Sequence, residues 1–385
     1  MRRHLIDKNN TSFGKNSENN SKRRKFIKNA AFAGAGSLIA SAEAVGQTKP
    51  VRPERRLRIG ALAVGDMSFW DYTWGDILSP HGMPVNRGSL GTDVLNMEIT
   101  HVWDVNPSKA QAFASKVGAQ VVSKYDDMVG RVDGVALGGF YEVPWQNRLA
   151  LPYLESGTPT HLSRPFAYSL RDIDEILEIA AKHNTPILAT DLYEHIFAVN
   201  NLKRSLKNVG EIQCVQATCL THDYPALFHT QFMLPKILGY DIERISVFTD
   251  NPNESTYLVG NYLYKGRDGQ PPFVCSQTMT PKGDLFSITI RGTEGVESSR
   301  LPQIADWQDD LLTHHLPMLV AMQRTFEGKN YEPFDLVRKK TELFLTGFYS
   351  ALERKGAPVN VGTVPADWRG RPVKPDWIDE AVFKR

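Results

Sequence analysis

The stretch from residue 97 to residue 190 constrains the fold most, because short apolar runs alternate there with helical ones. Residues 98–104 form a β-branched, apolar run that ends in Asp104. Residues 107–117 read as a helix, with Ser108 placed to cap it and Ala110, Phe113 and Val117 on one face. A second buried strand is predicted over 132–138, and a helix over 145–156 stops at Gly157. A short strand follows at 159–162, then a clean amphipathic helix over 170–183 and a last strand at 186–190. With residues 57–63 as an opening strand, the pattern is βαβαβαβ. Such alternation closes into a doubly wound parallel sheet with helices on both faces, and ligands gather at the carboxyl ends of its strands.

Beyond about residue 191 the pattern changes. A helix over 198–207 precedes residues 211–219, which alternate as a strand with one wet face. Further strands are expected at 245–249, 272–279 and 284–291, and helices at 307–326 and 340–354. The fold class predicted is therefore α/β followed by an α+β domain with a largely antiparallel sheet. Its divisions fall at 55–190, 191–362 and a carboxyl-terminal tail, 363–385. A chain of 385 residues suits two cores, and a net charge of +2, with its excess near the amino terminus, argues against a nucleic-acid partner. The three cysteines, Cys214, Cys219 and Cys275, sit among strand-like apolar residues and read as buried thiols.

Residues 1–45 differ in kind. A polar arm leads into Lys22-Arg23-Arg24-Lys25-Phe26-Ile27-Lys28, then an Ala/Gly run over 30–40 and small residues around Ser41. This order fits a twin-arginine-type export signal, which predicts a periplasmic or otherwise exported protein that meets the twin-arginine machinery and keeps no membrane span after processing. That route carries folded proteins, so a tightly bound cofactor would travel inside.

Several positions invite a dinucleotide reading. An acid closing the second strand of a doubly wound sheet lies where a nucleotide's ribose hydroxyls would be, which places Asp104 as a ribose acceptor and favours NAD over NADP. The alternative is an ordinary strand-end acid capping the turn before Pro107. The glycine fingerprint is reduced to Ala63, Gly65 and Ser68, and Asp66 brings a negative charge near any pyrophosphate. Between the first two strands lies an enlarged loop, 69–95, with Trp70, Tyr72 and Trp74 at its start and a short helix expected around 71–78. These rings either stack on sugar faces or pack into the core. Glu142 after Gly138-Gly139, and Asp191 and His195 after the last parallel strand, lie at further strand carboxyl ends.

The strand ending in Asp104, Val132-Asp133-Gly134-Val135, Leu154-Glu155-Ser156-Gly157-Thr158-Pro159, Ser163-Arg164-Pro165 and Val209-Gly210-Glu211-Ile212 together resemble the Gfo/Idh/MocA oxidoreductase family over residues 57–362. That resemblance implies a Rossmann-type domain followed by a substrate and oligomerisation domain. In the family, the segment matching Ser163-Arg164-Pro165 usually reads Glu-Lys-Pro, with its lysine near the nicotinamide and the reacting hydroxyl. Arg164 stands in its place, and a guanidinium serves as a fixed donor rather than a proton relay. The family's catalytic histidine corresponds to His229, ten residues before Gly239, while the usual preceding acid is replaced by Pro225 with Asp223 close by.

The site expected from these readings has Arg164 and His229 as catalytic groups, and His195, Asp191 and Asp223 toward substrate. Gly65, Asp66, Ser68, Asp104, Gly138, Glu142, Arg164 and Pro165 line the cofactor, and no metal is required. The function expected is exported, NAD-dependent oxidation of a sugar, polyol or related cyclic alcohol by a homo-oligomer, dimer or tetramer. The alternatives are a related fold that binds carbohydrate without redox chemistry, or a metal-assisted lyase or isomerase using His222, Asp223 and His229.

Overall fold

The computed structural model describes residues 55–65, 68–80, 83–85, 88–90, 95–220, 227–249, 258–266, 269–280, 286–301, 307–370 and 378–383. The export signal therefore lies outside the described residues. Strand β1 (Leu57–Leu62) is followed by helical turns over Trp70–Trp74 and Gly75–Ile77, and by a small hairpin of β2 (Met83–Val85) and β3 (Gly88–Leu90). Then come β4 (Met97–Trp103), α1 (Pro107–Val117), β5 (Gln120–Val121), β6 (Gly134–Leu137), α2 (Gln146–Glu155), β7 (Thr160–Leu162), α3 (Leu170–Lys182) and β8 (Ile187–Ala189). The strands pair in parallel in the order β5-β4-β1-β6-β7-β8. The chain winds outward from β1 in one direction and then crosses to β6 to wind in the other. The reversal lies between β1 and β6, where a doubly wound sheet opens its ligand crevice.

Local chemistry explains these elements. Residues 59–62 of β1 and all of β6 are buried on both faces, which is why these segments read as unbroken apolar runs. In α3, Leu170, Ile173, Ile176, Leu177 and Ala180 form one buried stripe, and Ser169 Oγ accepts the Asp172 N–H at 3.1 Å. The cap of α1 corrects the sequence reading. Asn106, not Ser108, closes the helix: its side-chain oxygen accepts the N–H of Ser108 at 3.0 Å and of Lys109 at 3.4 Å. Pro107 at the first helical position has no N–H to satisfy, so the capping role falls on the residue before it.

The second sheet follows α4 (Phe197–Ser205). It contains β9 (Ile212–Leu220), then, after α5 (Leu227–Leu238), β10 (Ile242–Thr249), β11 (Leu258–Tyr264), β12 (Phe273–Thr280), β13 (Phe286–Gly292) and β14 (Val296–Leu301). Helices α6 (Trp307–Phe326) and α7 (Phe334–Glu353) precede the short β15 (Val359–Asn360). The order is β14-β13-β9-β12-β11-β10-β15, antiparallel except between β9 and β12. β11 and β14 were not anticipated. β14 is a polar edge strand, and β11 carries Gly260 and Asn261, both poor strand formers. Cys214 and Cys275 are free thiols on neighbouring strands, with Cys275 opposite Val215 rather than Cys214.

Helices α6 and α7 return to the first sheet. Gln323 Oε1 on α6 accepts the Asn96 N–H at 2.8 Å, and Lys340 on α7 donates to the carbonyl of Ala189 at 3.3 Å. Among the described residues no helix is long and apolar enough to cross a membrane. Replacing Asn106 with Ala should lower unfolding stability by about 1 kcal/mol, while Ser108→Ala stays within about 0.5 kcal/mol. Urea denaturation checks this, and equal losses would return the cap to Ser108.

Candidate active site at the crest of the parallel sheet

The carboxyl ends of β1 and β4 are joined by a single carboxylate. Asp104 Oδ2 accepts the Gly65 N–H at 2.8 Å, and Oδ1 accepts the Asn106 N–H at 2.8 Å. A Cβ at Gly65 would lie 3.1 Å from that carboxylate, so the backbone approaches it as closely as a side chain would allow. The two residues are 39 positions apart, and the aromatic insertion between the strands leaves their meeting intact. Ala63 takes the left-handed conformation, φ 57°, at the point where the usual fingerprint supplies glycine. A residue with a Cβ in that conformation costs roughly 1–2 kcal/mol, and such strain gathers at functional turns. Asp66 lies outside the described residues.

Glu142 sits just before a 3-10 turn, Val143–Trp145, and its carboxyl rests against Gly139. It is buried, as is Asp104. Burial first, and the Asp104 charge second, push the Glu142 carboxyl up to about 8. At neutral pH this pair therefore carries one negative charge rather than two, and Glu142 holds a proton it can donate.

The segment after β1 is tied to the end of β6. Ser68 and Gly139 form an isolated bridge, and Phe69 N–H donates to the Gly138 carbonyl at 3.0 Å. Ser68 Oγ accepts the Asp71 N–H at 3.0 Å, which turns this hydroxyl toward its own helix start. The Trp70 indole lies on Gly138, where a Cβ would meet it at 2.3 Å, and its Nε1–H donates to the Leu62 carbonyl at 3.2 Å. Trp70 and Trp74 are fully buried, so of the two readings of this loop these rings follow the core-packing one.

On the other side of the crest stands Arg164, joined to Pro165 by a cis peptide bond. Its Nε forms an ion pair with Asp191 Oδ2 at 2.7 Å, and the guanidinium carbon lies 4.4 Å from the Phe69 ring centre and 4.6 Å from that of Phe140. Burial disfavours its charge, and Asp191 opposes that penalty. Two aromatic faces and a carboxylate thus hold the cation in one orientation. Asp191 Oδ1 also accepts the Tyr193 N–H, and Glu194 accepts the Asp191 N–H, closing a capping box.

Three histidines are held by neighbouring elements of the crest. His195 Nε2 meets Thr190 Oγ1 at 2.8 Å, His161 Nδ1 meets the Leu137 carbonyl at 3.1 Å, and His315 Nδ1 accepts from Trp74 Nε1 at 3.2 Å. Burial lowers both His195 and His161 to about 3, so both are neutral at physiological pH. Phe69 stacks on Trp74 at 4.8 Å and meets His315 edge-on at 5.6 Å. His229 belongs to α5, but its side chain lies outside the described residues, as do Asp223 and His222. Among the described residues no group of three His, Cys, Asp or Glu side chains is arranged to hold a metal.

The crest therefore brings Gly65, Asp104 and Glu142 together on one side, and Arg164, Asp191 and His195 on the other. Phe69, Phe140, His161 and His315 were missed by sequence reasoning. A trace of Phe140 lies in the double glycine before it, since a chain without side chains at the end of a buried strand gives room for a neighbouring ring. A nicotinamide dinucleotide fits the adenosine side of this arrangement, because the Asp104 carboxylate stands at the carboxyl end of β4 beside the Gly65 backbone, where ribose hydroxyls would meet an acceptor.

Because the Glu142 value lies above its ordinary 4.5, the native state binds an extra proton between 4.5 and about 8. Stability from this group is full below the lower value and declines as pH rises through the upper one. Glu142→Gln, which cannot titrate, should gain in denaturation midpoint over the parent between about pH 5 and about pH 9. Parallel profiles would contradict the assignment.

Residues 74–190 match the oxidoreductase family GFO_IDH_MocA, described as having an NAD-binding Rossmann fold. The match begins past β1 and its altered glycine turn. No curated protein matches the chain in sequence. Among solved structures, the WlbA dehydrogenase from Chromobacterium violaceum, in complex with NADH and UDP-GlcNAcA, is 18% identical with a TM-score of 0.63, covering 84% of this chain and 100% of that one. The scyllo-inositol dehydrogenase from Lactobacillus casei is 11% identical with a TM-score of 0.64, covering 80% and 99%. An oxidoreductase from Agrobacterium radiobacter, in complex with NAD+, L-tartaric acid and magnesium, is 15% identical with a TM-score of 0.62, again covering 80% and 99%. The family match covers residues 74–190, and the likeness to these solved structures is one of fold, a parallel sheet followed by a largely antiparallel one.

Proposed function

We propose that this chain is an NAD-dependent oxidoreductase that acts on a CH–OH group of a sugar, polyol or related cyclic alcohol. The observation that carries this reading is the Asp104 carboxylate, held against the Gly65 backbone where β1 and β4 end beside the sheet's reversal. An acid there accepts ribose hydroxyls and repels a 2′-phosphate, which favours NAD over NADP. The neutral Glu142 beside it limits the negative potential that a pyrophosphate would meet. When bound, the nicotinamide supplies a hydride acceptor. Arg164 contributes a fixed positive edge and no proton exchange, since Asp191 and two phenyl rings hold it. The hydroxyl proton is assigned to His229 as general base, following the family resemblance.

Export by the twin-arginine route and a periplasmic location rest on the amino-terminal sequence alone. Assembly as a homo-oligomer is favoured by the outer face of the second sheet, where Phe248 and Val259 pair across β10 and β11 and Val274 lies exposed on β12. One observation favours a second reading, binding without redox chemistry: Phe69 and Phe140, themselves edge to face, both pack against Arg164, in the place where an exchangeable lysine is usual. A protein that binds NAD yet forms no NADH with any sugar, polyol or inositol would support that reading.

Asp104→Ala should weaken NAD binding by about tenfold or more in calorimetry. Unchanged affinity would remove the residue from the ribose site. His229→Ala should lower kcat by roughly 10²–10⁴ with NAD still bound. Full turnover would defeat its role as base.

A further inference from the structure

We propose that Lys340 is a positioning residue for Arg164, acting from α7 through Glu194 and the Asp191 turn. The inference rests on reading Arg164 as part of the reaction centre. Lys340 has no exposed side-chain surface, and its ammonium lies 2.6 Å from Glu194 Oε2 and 3.0 Å from Oε1. It also donates to Glu332 Oε1 and to the Ala189 carbonyl, the last residue of β8. Burial opposes the ammonium charge, but Glu194 and Glu332 outweigh it and hold the group above its ordinary value.

From there the path to Arg164 is continuous. Glu194 Oε1 accepts the Asp191 N–H at 3.1 Å, and Asp191 Oδ2 forms the ion pair with Arg164 Nε at 2.7 Å. The cation of α7, in the layer that covers the second sheet, thus fixes the turn whose carboxylate aims the guanidinium against the adjoining rings of Phe69 and Phe140. Glu194 is raised by burial even with Lys340 beside it, and Glu332 adds to that rise. Without the ammonium, the buried Glu194 carboxylate faces the half-buried one of Glu332, and sharing a proton between them is the lowest-cost outcome. That contact draws Glu194 toward Glu332 and away from the Asp191 amide. A wholly structural Lys340 would stabilise the fold without bearing on where Arg164 points.

The Arg164 Nε–H reports its position directly, independent of turnover. In protein labelled with ¹⁵N-arginine, its resonance is assigned by its loss in Arg164→Lys, and its solvent exchange is measured in Lys340→Met. Exchange should rise by about tenfold or more and the resonance should move. In Glu194→Gln/Lys340→Met it should return toward the parent, because the amide oxygen still accepts the Asp191 N–H with no charge left to neutralise. Val337→Ala, a buried cavity on the same helix, should leave it unmoved. An unchanged Arg164 signal in folded Lys340→Met, or an equal change in Val337→Ala, overturns the proposal. If Lys340→Met does not fold, Glu194→Gln/Lys340→Met is compared with Glu194→Ala/Lys340→Met. Faster Arg164 exchange in the alanine variant supports the path, and equal exchange refutes it. NAD titration of the parent is read separately, so a failure to bind cofactor leaves this comparison standing.

Discussion

The hydrogen bond from Gly65 N–H to the Asp104 carboxylate is the constraint on which the site depends. It locks the ends of two adjacent parallel strands together beside the sheet's reversal, where a doubly wound sheet receives its ligand. Everything else at the crest arranges itself around that charge. Ala63 accepts a left-handed conformation so that the chain can leave β1 toward it, and Glu142 keeps a proton first through its burial and second through that charge. A carboxylate used only to cap the turn before α1 would have no need of Gly65.

The remaining charges at the crest are buried in pairs. Arg164 with Asp191, and Lys340 with Glu194 and Glu332, place cations where isolated ones would be strongly disfavoured. Replacement of such groups by apolar residues of similar size often preserves or raises stability, so their presence points to orientation rather than to stability. The aromatic rings act in the same sense. Phe69 touches Trp74, Phe140, His315 and Arg164 at once, and therefore couples the segment after β1 to α6 and to the strand end that carries the guanidinium.

Much of this was legible in the sequence, for reasons that differ by residue. The parallel strands could be read because burial on both faces leaves unbroken apolar runs such as Gly134-Val135-Ala136-Leu137. Asp104 could be read because position along a strand fixes it without any knowledge of contacts. The edge strand β14 and the glycine-bearing β11 lacked that signature, and their pairing is decided by neighbours distant in sequence. The α1 cap lies at Asn106, two residues before Ser108, because proline occupies the first helical position and the cap precedes it. Lys340 was invisible: a lysine within a helix normally reads as solvated, and only the meeting of α7 with β8 and the Asp191 turn buries it.

The central claim is that a nicotinamide dinucleotide crosses the crest with its adenosine ribose on Asp104. A crystal structure of the protein grown with saturating NAD+ tests it most directly. The account requires both ribose hydroxyls within about 3 Å of the Asp104 oxygens. A crest still closed by the Ser68–Trp70 segment, with no nucleotide against Asp104, would contradict it.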